Sequence, residues 1–392
     1  MSTRCLVVGA GIIGAATSLR LAQAGAEVEL IDALGPGEGT SGTSFAWVGA
    51  SPLGLWDYFD LNVAGVAAYR RLRAELGATP WHGSDGSLVW YTDGARQAAL
   101  AERVQQLRSA GYPATLLDPA AALALEPDLR LAESVEGVAF HPDEGFASPR
   151  PMIATLLRLA RERGVRTRWG ARVAGLEDGA GGATAVLETG ERLTADAVVL
   201  CCGRWTDDVV RLAGGEIPMI PGTERGSVAV GLLVLTSPAV QGVRRVLCAD
   251  DLMIRPDGGG RLLLHSDEHD RLVDPAAPDA VGEIGVGVAE AVSHRLELPA
   301  KLTVDRVVVG IRALTGDLLP AVGWLPGSER IYAAVTHSGI TLGPLLGELI
   351  ASELVDGADE ELLHPFRPAR FGSATPLTAP QPETILERAA PR

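Results

Sequence analysis

The sequence is poor in cysteine: its 392 residues contain four, at Cys5, Cys201, Cys202 and Cys248. None belongs to a CxxC pair, which argues against a zinc site and against a thioredoxin-like motif. Cys201 and Cys202 end an apolar run, which favours buried thiols. This usage fits a reducing compartment, so we expect a cytoplasmic protein.

Positive charge is also scarce, since 34 Lys and Arg residues face 49 Asp and Glu residues and leave a net charge of −15. Such a chain repels phosphate backbones, which makes nucleic acid a poor partner. A substrate carboxylate would therefore need a cation within its own site. No apolar run reaches the length of a membrane span. The first one, Cys5–Val8, is followed at once by glycines and does not predict a signal peptide.

A glycine-rich turn near the start carries the first functional signal. The pattern predicts a strand over Arg4–Val8, a turn over Gly9–Gly14, a helix over Ala15–Ala24 and a second strand over Glu27–Ile31. A GxGxxG turn between a strand and a helix is typical of dinucleotide sites. Its glycines permit the tight turn, the approach of a pyrophosphate and the close packing of helix on strand. The helix N-terminus then offers free N–H groups to the phosphates.

Asp32 closes the second strand, where a carboxylate can accept hydrogen bonds from both ribose hydroxyls. The residues expected at the dinucleotide are Gly9, Gly11, Ile12, Ile13, Gly14, Asp32 and Ala33. The motif leaves open whether the dinucleotide is FAD or NAD.

The rest of the chain has α/β segments at both ends and a β-rich middle. Helices are predicted over Tyr58–Leu76, Ala95–Ser109, Pro149–Arg163, Pro278–Leu296 and Leu342–Val355, and strands alternating with turns over 217–235 and 246–265. With 47% apolar residues, a chain of this length suits two packed domains. We predict an α/β fold in which a discontinuous Rossmann-like domain receives an inserted antiparallel-sheet substrate domain. The Rossmann-like domain spans 1–78, 145–215 and 311–371, the substrate domain spans 79–144 and 216–310, and 372–392 form a flexible tail.

Four regions spread over the chain carry a further pattern. They are the N-terminal turn with Asp32, the Ser/Thr-rich Thr40–Trp47, the strand and glycine turn Ala195–Trp205, and a C-terminal run, Gly310–Gly323 with Thr336–Pro344. Up to about Phe371, the chain thereby resembles the D-amino-acid oxidase family of flavoproteins, which includes glycine oxidase, sarcosine oxidase and D-amino-acid dehydrogenases. Asp32 is a mild departure, since many members carry Glu there.

The resemblance implies FAD as the cofactor. It places Thr40, Ser41, Thr43, Ser44, Ala46 and Trp47 along the pyrophosphate and flavin ring, Val173 at the adenine, Cys202, Gly203 and Trp205 beside the cofactor, and Arg312, His337, Ser338, Gly339, Ile340 and Thr341 at the pyrimidine end of the flavin. Core packing is an equal alternative for Trp205. Some relatives tether FAD through a cysteine, and none lies in the last flavin loop here, so we expect non-covalent binding.

The resemblance also implies a substrate site. Arg312 matches an arginine that grips the substrate carboxylate in the glycine- and D-amino-acid-oxidase branches; a surface or structural ion pair is the alternative. Met253 stands where those branches carry a tyrosine that helps to hold the carboxylate, which leaves room for a larger or more apolar substrate. Arg255 either compensates for that loss or is an exposed strand arginine. His337 either touches the flavin ring or its substrate face, or packs at the helix entry.

A polar cluster follows one of the predicted strands, with His265, Asp267, Glu268, His269 and Asp270. Two histidines four residues apart bind metal well on a helix, but this stretch is predicted as strand into loop. We therefore expect a solvated loop and no metal.

Together these features predict an FAD-dependent enzyme that oxidises a C–N bond of an amino acid or secondary amine. The resemblance implies hydride transfer to flavin N5, hydrolysis of the imine product, and reoxidation by oxygen or another acceptor. A 2-hydroxy-acid dehydrogenase on the same fold would use Arg312 equally well. An NAD-dependent dehydrogenase and a binding protein with a vestigial nucleotide fold are also compatible with the N-terminal glycine turn.

Overall fold

A computed structural model of the chain describes residues 2–51, 56–77, 79–277 and 280–372. The helices are α1 (Ile12–Gln23), α2 (Trp56–Leu76), α3 (Gly94–Ser109), α4 (Pro119–Leu125), α5 (Pro149–Glu162), α6 (Thr206–Arg211), α7 (Asp267–Asp270), α8 (Val281–Ala291) and α9 (Gly339–Ala351). The strands are β1 (Arg4–Val8), β2 (Glu27–Asp32), β3 (Trp47–Val48), β4 (His82–Gly83), β5 (Ser87–Trp90), β6 (Thr115–Leu117), β7 (Val138–His141), β8 (Gly145–Ala147), β9 (Arg166–Trp169), β10 (Val173–Gly179), β11 (Gly182–Leu187), β12 (Arg192–Ala195), β13 (Ala197–Leu200), β14 (Val230–Thr236), β15 (Val246–Ala249), β16 (Leu252–Pro256), β17 (Leu262–Ser266), β18 (Val304–Ile311), β19 (Ala321–Trp324) and β20 (Ile331–Val335).

A six-stranded sheet forms the first layer, in the order β19-β20-β13-β1-β2-β9. Its strands run parallel except β19, which pairs antiparallel with β20. Because side chains alternate along a strand, β1 serves two cores. Val7 packs under α1 and α9, whereas Leu6 and Val8 face the three-stranded sheet β10-β11-β12. Both faces of the parallel strands are therefore covered, as such sheets require.

An eight-stranded sheet forms the second body, in the order β18-β14-β17-β16-β15-β5-β7-β6. Its pairs are antiparallel apart from β5 with β15. Helix α8 packs on one face, over residues such as Val234 and Leu264. The opposite face presents Leu233, Leu235 and Leu263. We call this second surface the inner face; Phe45, from the loop after β2, lies against it.

The predicted fold class is confirmed, and the departures from prediction are local. Helix α1 begins at Ile12, before the predicted Ala15, because the glycine turn leads directly into it. In 217–235 a strand forms only from Val230. The predicted helix over Pro278–Leu296 is shorter, with α8 ending at Ala291. Residues 278–279 and the predicted tail after Gly372 lie outside the described residues.

The strands divide between the two sheets along the predicted domain segments. All strands of the six-stranded sheet lie within 1–78, 145–215 and 311–371. Those of the eight-stranded sheet lie within 79–144 and 216–310, apart from the last residue of β18. The exact domain boundaries stay a prediction. Within the described ranges, no helix has the length and hydropathy needed to cross a membrane.

His82 makes the stability of the protein depend on pH. Burial, helped by the charge of Arg73, lowers the pKa of His82 from 6.5 to about 4. The unfolded chain therefore takes up this proton first as the pH falls, so stability is full above about pH 6.5 and is lost between about 6.5 and 4. Lowering the pH from about 7 to 5 reduces the unfolding free energy of the wild type. We expect this reduction to be about 1 to 2 kcal/mol smaller in His82→Gln.

Urea unfolding at the two pH values measures this effect. The exposed His294 offers a matched control, because His294→Gln should leave the wild-type pH dependence in place. An unchanged pH dependence in the His82 variant would show that this imidazole is not held neutral by the fold.

Candidate active site

The carboxyl ends of the parallel strands open into one cleft. Gly9 follows β1, Asp32 ends β2, Cys202 follows β13, and His337 follows β20; all four line the cleft. Ligands of open α/β sheets bind at this edge, outside the carboxyl ends of the strands. The cleft is therefore the candidate cofactor site.

The first glycine turn is shaped by backbone contacts. Gly9 has a φ of 107°, and a Cβ there would lie 2.3 Å from the carbonyl oxygen of Cys201. A Cβ on Gly14 would lie 1.8 Å from the Gly9 carbonyl oxygen, which explains why helix and strand need glycine here. A Cβ on Gly11 would meet only Ser41 Oγ, at 3.1 Å, among the described atoms within 4 Å. The turn thus leaves an open cradle at Gly11, in front of α1.

Two helix N-termini meet at this cleft. Gly11 caps α1 and Ser338 caps α9, and neither cap residue makes a side-chain hydrogen bond to the first turn of its helix. In α1, the N–H of Ile12 donates to Ser41 Oγ at 3.1 Å. A Cβ on Gly339 would lie 3.8 Å from Ile12, so the two helix starts are adjacent. Each terminus carries a partial positive charge and free N–H groups, which suit anionic ligand groups.

Asp32 is held rigidly at the cleft. Its Oδ2 accepts a hydrogen bond from the N–H of Ala10 at 2.7 Å. Its Oδ1 accepts from the N–H groups of Leu34, at 2.7 Å, and Gly35, at 2.8 Å. A carboxylate has about four lone-pair sites, so acceptor capacity remains for a ribose hydroxyl.

Most predicted cofactor residues line this cleft. They are Gly9, Gly11, Ile12, Ile13, Asp32, Ala33, Thr40, Ser41, Ser44, Val173, Cys202, Gly203, Trp205, His337, Gly339 and Ile340. Trp205 is 37% exposed, so the core-packing alternative for it is wrong. Outside the lining lie Gly14, Thr43, Ala46, Trp47, Arg312, Ser338 and Thr341. The contact of each residue with the cofactor stays a prediction.

Several lining residues were missed at the level of sequence. They are Val8, Leu34, Gly35, Glu38, Gly39, Ala171, Arg172, Cys201, Val209, Ala313 and Thr336. Most are chain neighbours of predicted residues. Ala171 and Arg172 follow β9, and the strand end was a usable signal, because parallel strands bring their carboxyl ends to one edge.

The cleft fits FAD. The N-terminus of α1 faces a glycine cradle at one part of the cleft, where a pyrophosphate would be held. The second helix start lies where the reducible ring would gain from a nearby positive dipole. A family model described as FAD dependent oxidoreductase, DAO, matches residues 4–353. The chain belongs to the DAO family of FAD-dependent oxidoreductases. FAD, rather than NAD, is therefore its cofactor.

Similar proteins that cover most of the chain support this membership. The chain is 28% identical to a glycine oxidase of Pseudomonas putida, over 92% of this chain and 96% of the relative. It is 25% identical to a D-amino acid dehydrogenase of a Methylobacterium species, over 92% and 97%. The solved glycine oxidase of Geobacillus kaustophilus has the same fold, with a TM-score of 0.79, 24% identity and coverage of 93% and 98%.

Trp47 and Ala46 stand behind the lining of the cleft in this DAO-family enzyme. Thr341 Oγ1, in the first turn of α9, donates to the Trp47 carbonyl at 3.1 Å. The N–H of Gly49 donates to the same Oγ1 at 3.4 Å. Ala46 has a φ of 61°, in the left-handed region that few residues other than glycine adopt. This loop is therefore fixed to the helix that contributes His337 and Gly339 to the cleft.

Glu144 anchors the same loop from the other side and is fully buried. Its carboxylate accepts hydrogen bonds from Trp47 Nε1 (3.0 Å), the N–H groups of Ala50 (3.0 Å) and Ser51 (2.8 Å), Ser87 Oγ (2.7 Å) and Tyr112 OH (2.9 Å). A buried carboxylate is tolerated only when such donors satisfy it. Glu144 was not predicted, because nothing local in the sequence distinguishes it from a surface glutamate.

Arg312 takes part in a structural ion pair, which was the alternative to a carboxylate clamp. Its Nη2 lies 2.5 Å from Asp270 Oδ2 and 3.8 Å from Asp267 Oδ1. Nη1 donates to the carbonyl groups of Val228 and Val230, both at 2.8 Å. In this DAO-family enzyme, the charge of Arg312 is therefore compensated by acidic residues of the chain itself, and its Nη1 is bonded to backbone carbonyl groups.

The expectation of a solvated loop is wrong for His265 and Asp270, whereas Asp267 and Glu268 are exposed. His265 lies in β17 and is 6% exposed, and Asp270 lies in α7 and is 5% exposed. His265 Nε2 lies 3.1 Å from Asp267 Oδ1, and Arg312 lies on the same side. We call these four residues, Arg312, His265, Asp267 and Asp270, the Arg312 cluster. The prediction failed because burial is decided by β14 and β18, which are remote in the chain.

Metal binding is not favoured at the Arg312 cluster. The ligand atoms of His265, Asp267 and Asp270 lie within 4.8 Å of one another. However, the guanidinium of Arg312 already occupies the side of Asp270 that a cation would need. Burial raises the pKa of Asp267, but its hydrogen bond to His265 and the charges of His265 and Arg312 outweigh this and lower it to about 2. This carboxyl group is therefore ionised at neutral pH.

The two remaining predicted substrate residues differ in position. Arg255 is not an exposed strand arginine, since it is 1% exposed and donates through Nε to the Phe45 carbonyl at 2.6 Å. It also pairs with Asp257 at 2.9 Å, so its charge is compensated away from the cleft. Met253 pairs with His265 across β16 and β17 and is half-buried on the inner face.

His337 lines the cleft and is held neutral. The side chain of His337 is exposed to the open cleft, but desolvation by the protein atoms around it and the positive charge of Arg312 lower its pKa to about 4. Ala313, the chain neighbour of Arg312, lines the same cleft as His337, so the Arg312 cluster lies beside this end of the cleft. We therefore predict that the substrate end lies between His337 and the inner face.

Proposed function

We propose that this FAD-dependent oxidoreductase oxidises a C–N bond of a small amine or amino acid. The substrate loses a hydride from carbon and the nitrogen lone pair forms the imine, which water then hydrolyses to a carbonyl compound and a free amine. Oxygen or another acceptor returns the cofactor to its oxidised state. The names of two relatives, a glycine oxidase and a D-amino acid dehydrogenase, support this class of reaction.

The observation that supports C–N oxidation best is the lack of a suitable base among the described groups at the substrate end. An alcohol must lose its hydroxyl proton to a base, whereas a neutral amine already has a lone pair to push. His265 has both ring nitrogens engaged, towards Leu232 O at 3.2 Å and Asp267 at 3.1 Å. His337 and the ionised Asp267, whose pKa values are lowered to about 4 and about 2, are both weak bases at neutral pH.

The chain's own residues hold the substrate and exclude water. When bound, FAD supplies the two-electron acceptor. The inner face presents Leu233, Leu235 and Leu263, which keep the substrate end apolar. The N-terminus of α9 stabilises negative charge at the cleft beside His337. These groups orient the C–H bond and lower the local polarity, and they need no proton transfer of their own.

The test is anaerobic mixing of the FAD-loaded enzyme with a panel of primary amines, secondary amines, D- and L-amino acids, and 2-hydroxy acids. We expect compounds with an oxidisable C–N bond to bleach the flavin absorbance and 2-hydroxy acids to leave it unchanged. Appearance of the carbonyl product after a single turnover would identify the bond that was cleaved. Bleaching by hydroxy acids alone would overturn the proposal in favour of a 2-hydroxy-acid dehydrogenase.

A further inference from the structure

We infer that the side chain of Asp270 occupies the position on Arg312 that a substrate carboxylate would need. The enzyme therefore selects amines without a carboxylate on the carbon that bears nitrogen. The inference rests on the proposed function and narrows its substrate class. It makes Asp270 a specificity-determining residue, acting through Arg312 rather than on the reacting bond.

The donors of Arg312 are almost all committed to described protein atoms. Nη1 donates to two carbonyl groups, of Val228 and Val230. Nη2 donates to Asp270 Oδ2 at 2.5 Å and lies 3.3 Å from His265 Nε2. Three of the five N–H groups are thus bonded to carbonyl or carboxylate oxygens, and the second N–H of Nη2 is blocked by the ring of His265, whose Nε2 is engaged with Asp267. A bidentate grip on a carboxylate needs two parallel N–H groups, so Arg312 cannot form one without losing an existing bond or displacing the ring of His265.

The guanidinium is also fixed in place. A Cβ on Gly231 would lie 3.2 Å from Nη2, so the side chain lies against the backbone of β14. Gly231 faces inward together with Leu233, two residues on, because side chains alternate along the strand. Arg312 therefore stands on the inner face, at the substrate end, but with its charge directed into the protein.

Asp270 is not easily displaced by a substrate. It is 5% exposed, and its Oδ1 accepts a hydrogen bond from the N–H of Leu232 at 2.6 Å. A substrate carboxylate that took its place on Arg312 would leave this buried charge without its cation, which is strongly unfavourable. The ion pair therefore competes against any carboxylate ligand.

The charge and polarity of the neighbouring side chains also disfavour a substrate carboxylate. Asp267 adds a second carboxylate 3.8 Å from the guanidinium, so two acidic groups face one arginine. Met253, beside His265 on the inner face, offers no hydrogen-bond donor to a carboxylate. An uncharged or apolar group on the substrate carbon is thus accepted where a carboxylate is repelled.

Paired substrates test the inference on the wild-type FAD-loaded enzyme. Each pair consists of an amine and the amino acid that differs from it only by the added carboxylate, in both configurations, for example phenethylamine with D- and L-phenylalanine. The rate of anaerobic flavin reduction divided by the dissociation constant should be at least about tenfold higher for the amine. Equal or faster reduction by the amino acid would overturn the inference while leaving C–N oxidation intact.

Asp270→Asn tests the mechanism of the selectivity. Removing this charge frees Nη2, so the ratio should move towards the amino acid by about tenfold or more. Benzoate, a carboxylate that cannot react, should then perturb the flavin spectrum of the variant and not of the wild type. An unchanged ratio together with benzoate binding by the wild type would overturn the inference.

A matched control is Asp257→Asn, which breaks the pair with Arg255 on the same sheet away from the cleft. It should leave the amine-to-amino-acid ratio at its wild-type value. If Asp270→Asn does not fold, the paired substrates and benzoate titration of the wild type still decide. Bleaching by hydroxy acids alone would mean failure of the proposed function, a result distinct from bleaching by amino acids in preference to amines.

Discussion

Replacing Gly11 by valine is expected to leave the protein folded but without FAD. Gly11 stands in front of the N-terminus of α1 and lines the cleft, where the pyrophosphate of a dinucleotide approaches the backbone. The only described atom within 4 Å of a Cβ there is Ser41 Oγ, the end of a short side chain that can rotate. The added branched side chain therefore fills ligand space rather than protein space. We expect FAD to bind about a hundredfold more weakly or worse.

The measurement combines the flavin absorbance of the purified protein, titration with added FAD, and circular dichroism. Gly94→Val is the matched control, because Gly94 lies in the first turn of α3 and no described atom is within 4 Å of its Cβ. Gly14→Val is a second comparison. We expect this variant not to fold, because its Cβ would overlap the Gly9 carbonyl oxygen. A Gly11→Val protein that retains stoichiometric FAD would show that the cradle is not the pyrophosphate site.

Glu144→Gln is expected to reduce the free energy of unfolding by about 3 kcal/mol, because one of its oxygens is replaced by an N–H₂ group that meets at least one N–H group unable to accept. Whichever way the amide turns, it directs a donor against other donors. If nitrogen replaces Oε2, it faces Trp47 Nε1 and Ser87 Oγ; if it replaces Oε1, it faces two backbone N–H groups and Tyr112 OH. Burial removes the water that could otherwise compensate.

Chemical denaturation of the FAD-free and FAD-loaded forms measures this loss. Glu133→Gln, the same substitution at an exposed position, should change stability by less than about 0.5 kcal/mol. Because the anchored loop also contacts Thr341 of α9, we expect the Glu144 variant to lose FAD at lower denaturant concentrations than the control. Equal stability of both variants would show that the five hydrogen bonds do not constrain the fold.

The cofactor end of the site could be predicted from sequence because its signals are local. The turn at Gly9–Gly14, Asp32 and the run at His337–Ile340 each lie in a short segment whose chemistry is readable without the fold. The structure brings these segments together because parallel strands carry their carboxyl ends to a common edge. The segment boundaries were less accurate, as at α1, because a glycine turn can lead into a helix without a separate capping residue.

The substrate end was predicted less well, and Arg312 shows why. The sequence left a carboxylate clamp and an ion pair both open, and the partner of the arginine lies 42 residues away in the chain. Asp270 was assigned to solvent because polar residues after a strand usually form a loop. Its burial depends on the pairing of β14 with both β17 and β18, a non-local arrangement that no short pattern records.

By itself, the sequence determined the class of this protein: an α/β flavoprotein with a dinucleotide turn at its start, a β-rich insertion and a second glycine-rich loop before its last helix. Those features depend on backbone conformations and periodicities that short stretches of residues impose. Only the tertiary structure decided which charges meet. Glu144 became an anchor, Arg255 a buried pair and Arg312 a compensated cation, because electrostatic partners and burial are set by strands and loops that are remote in the chain and adjacent in space.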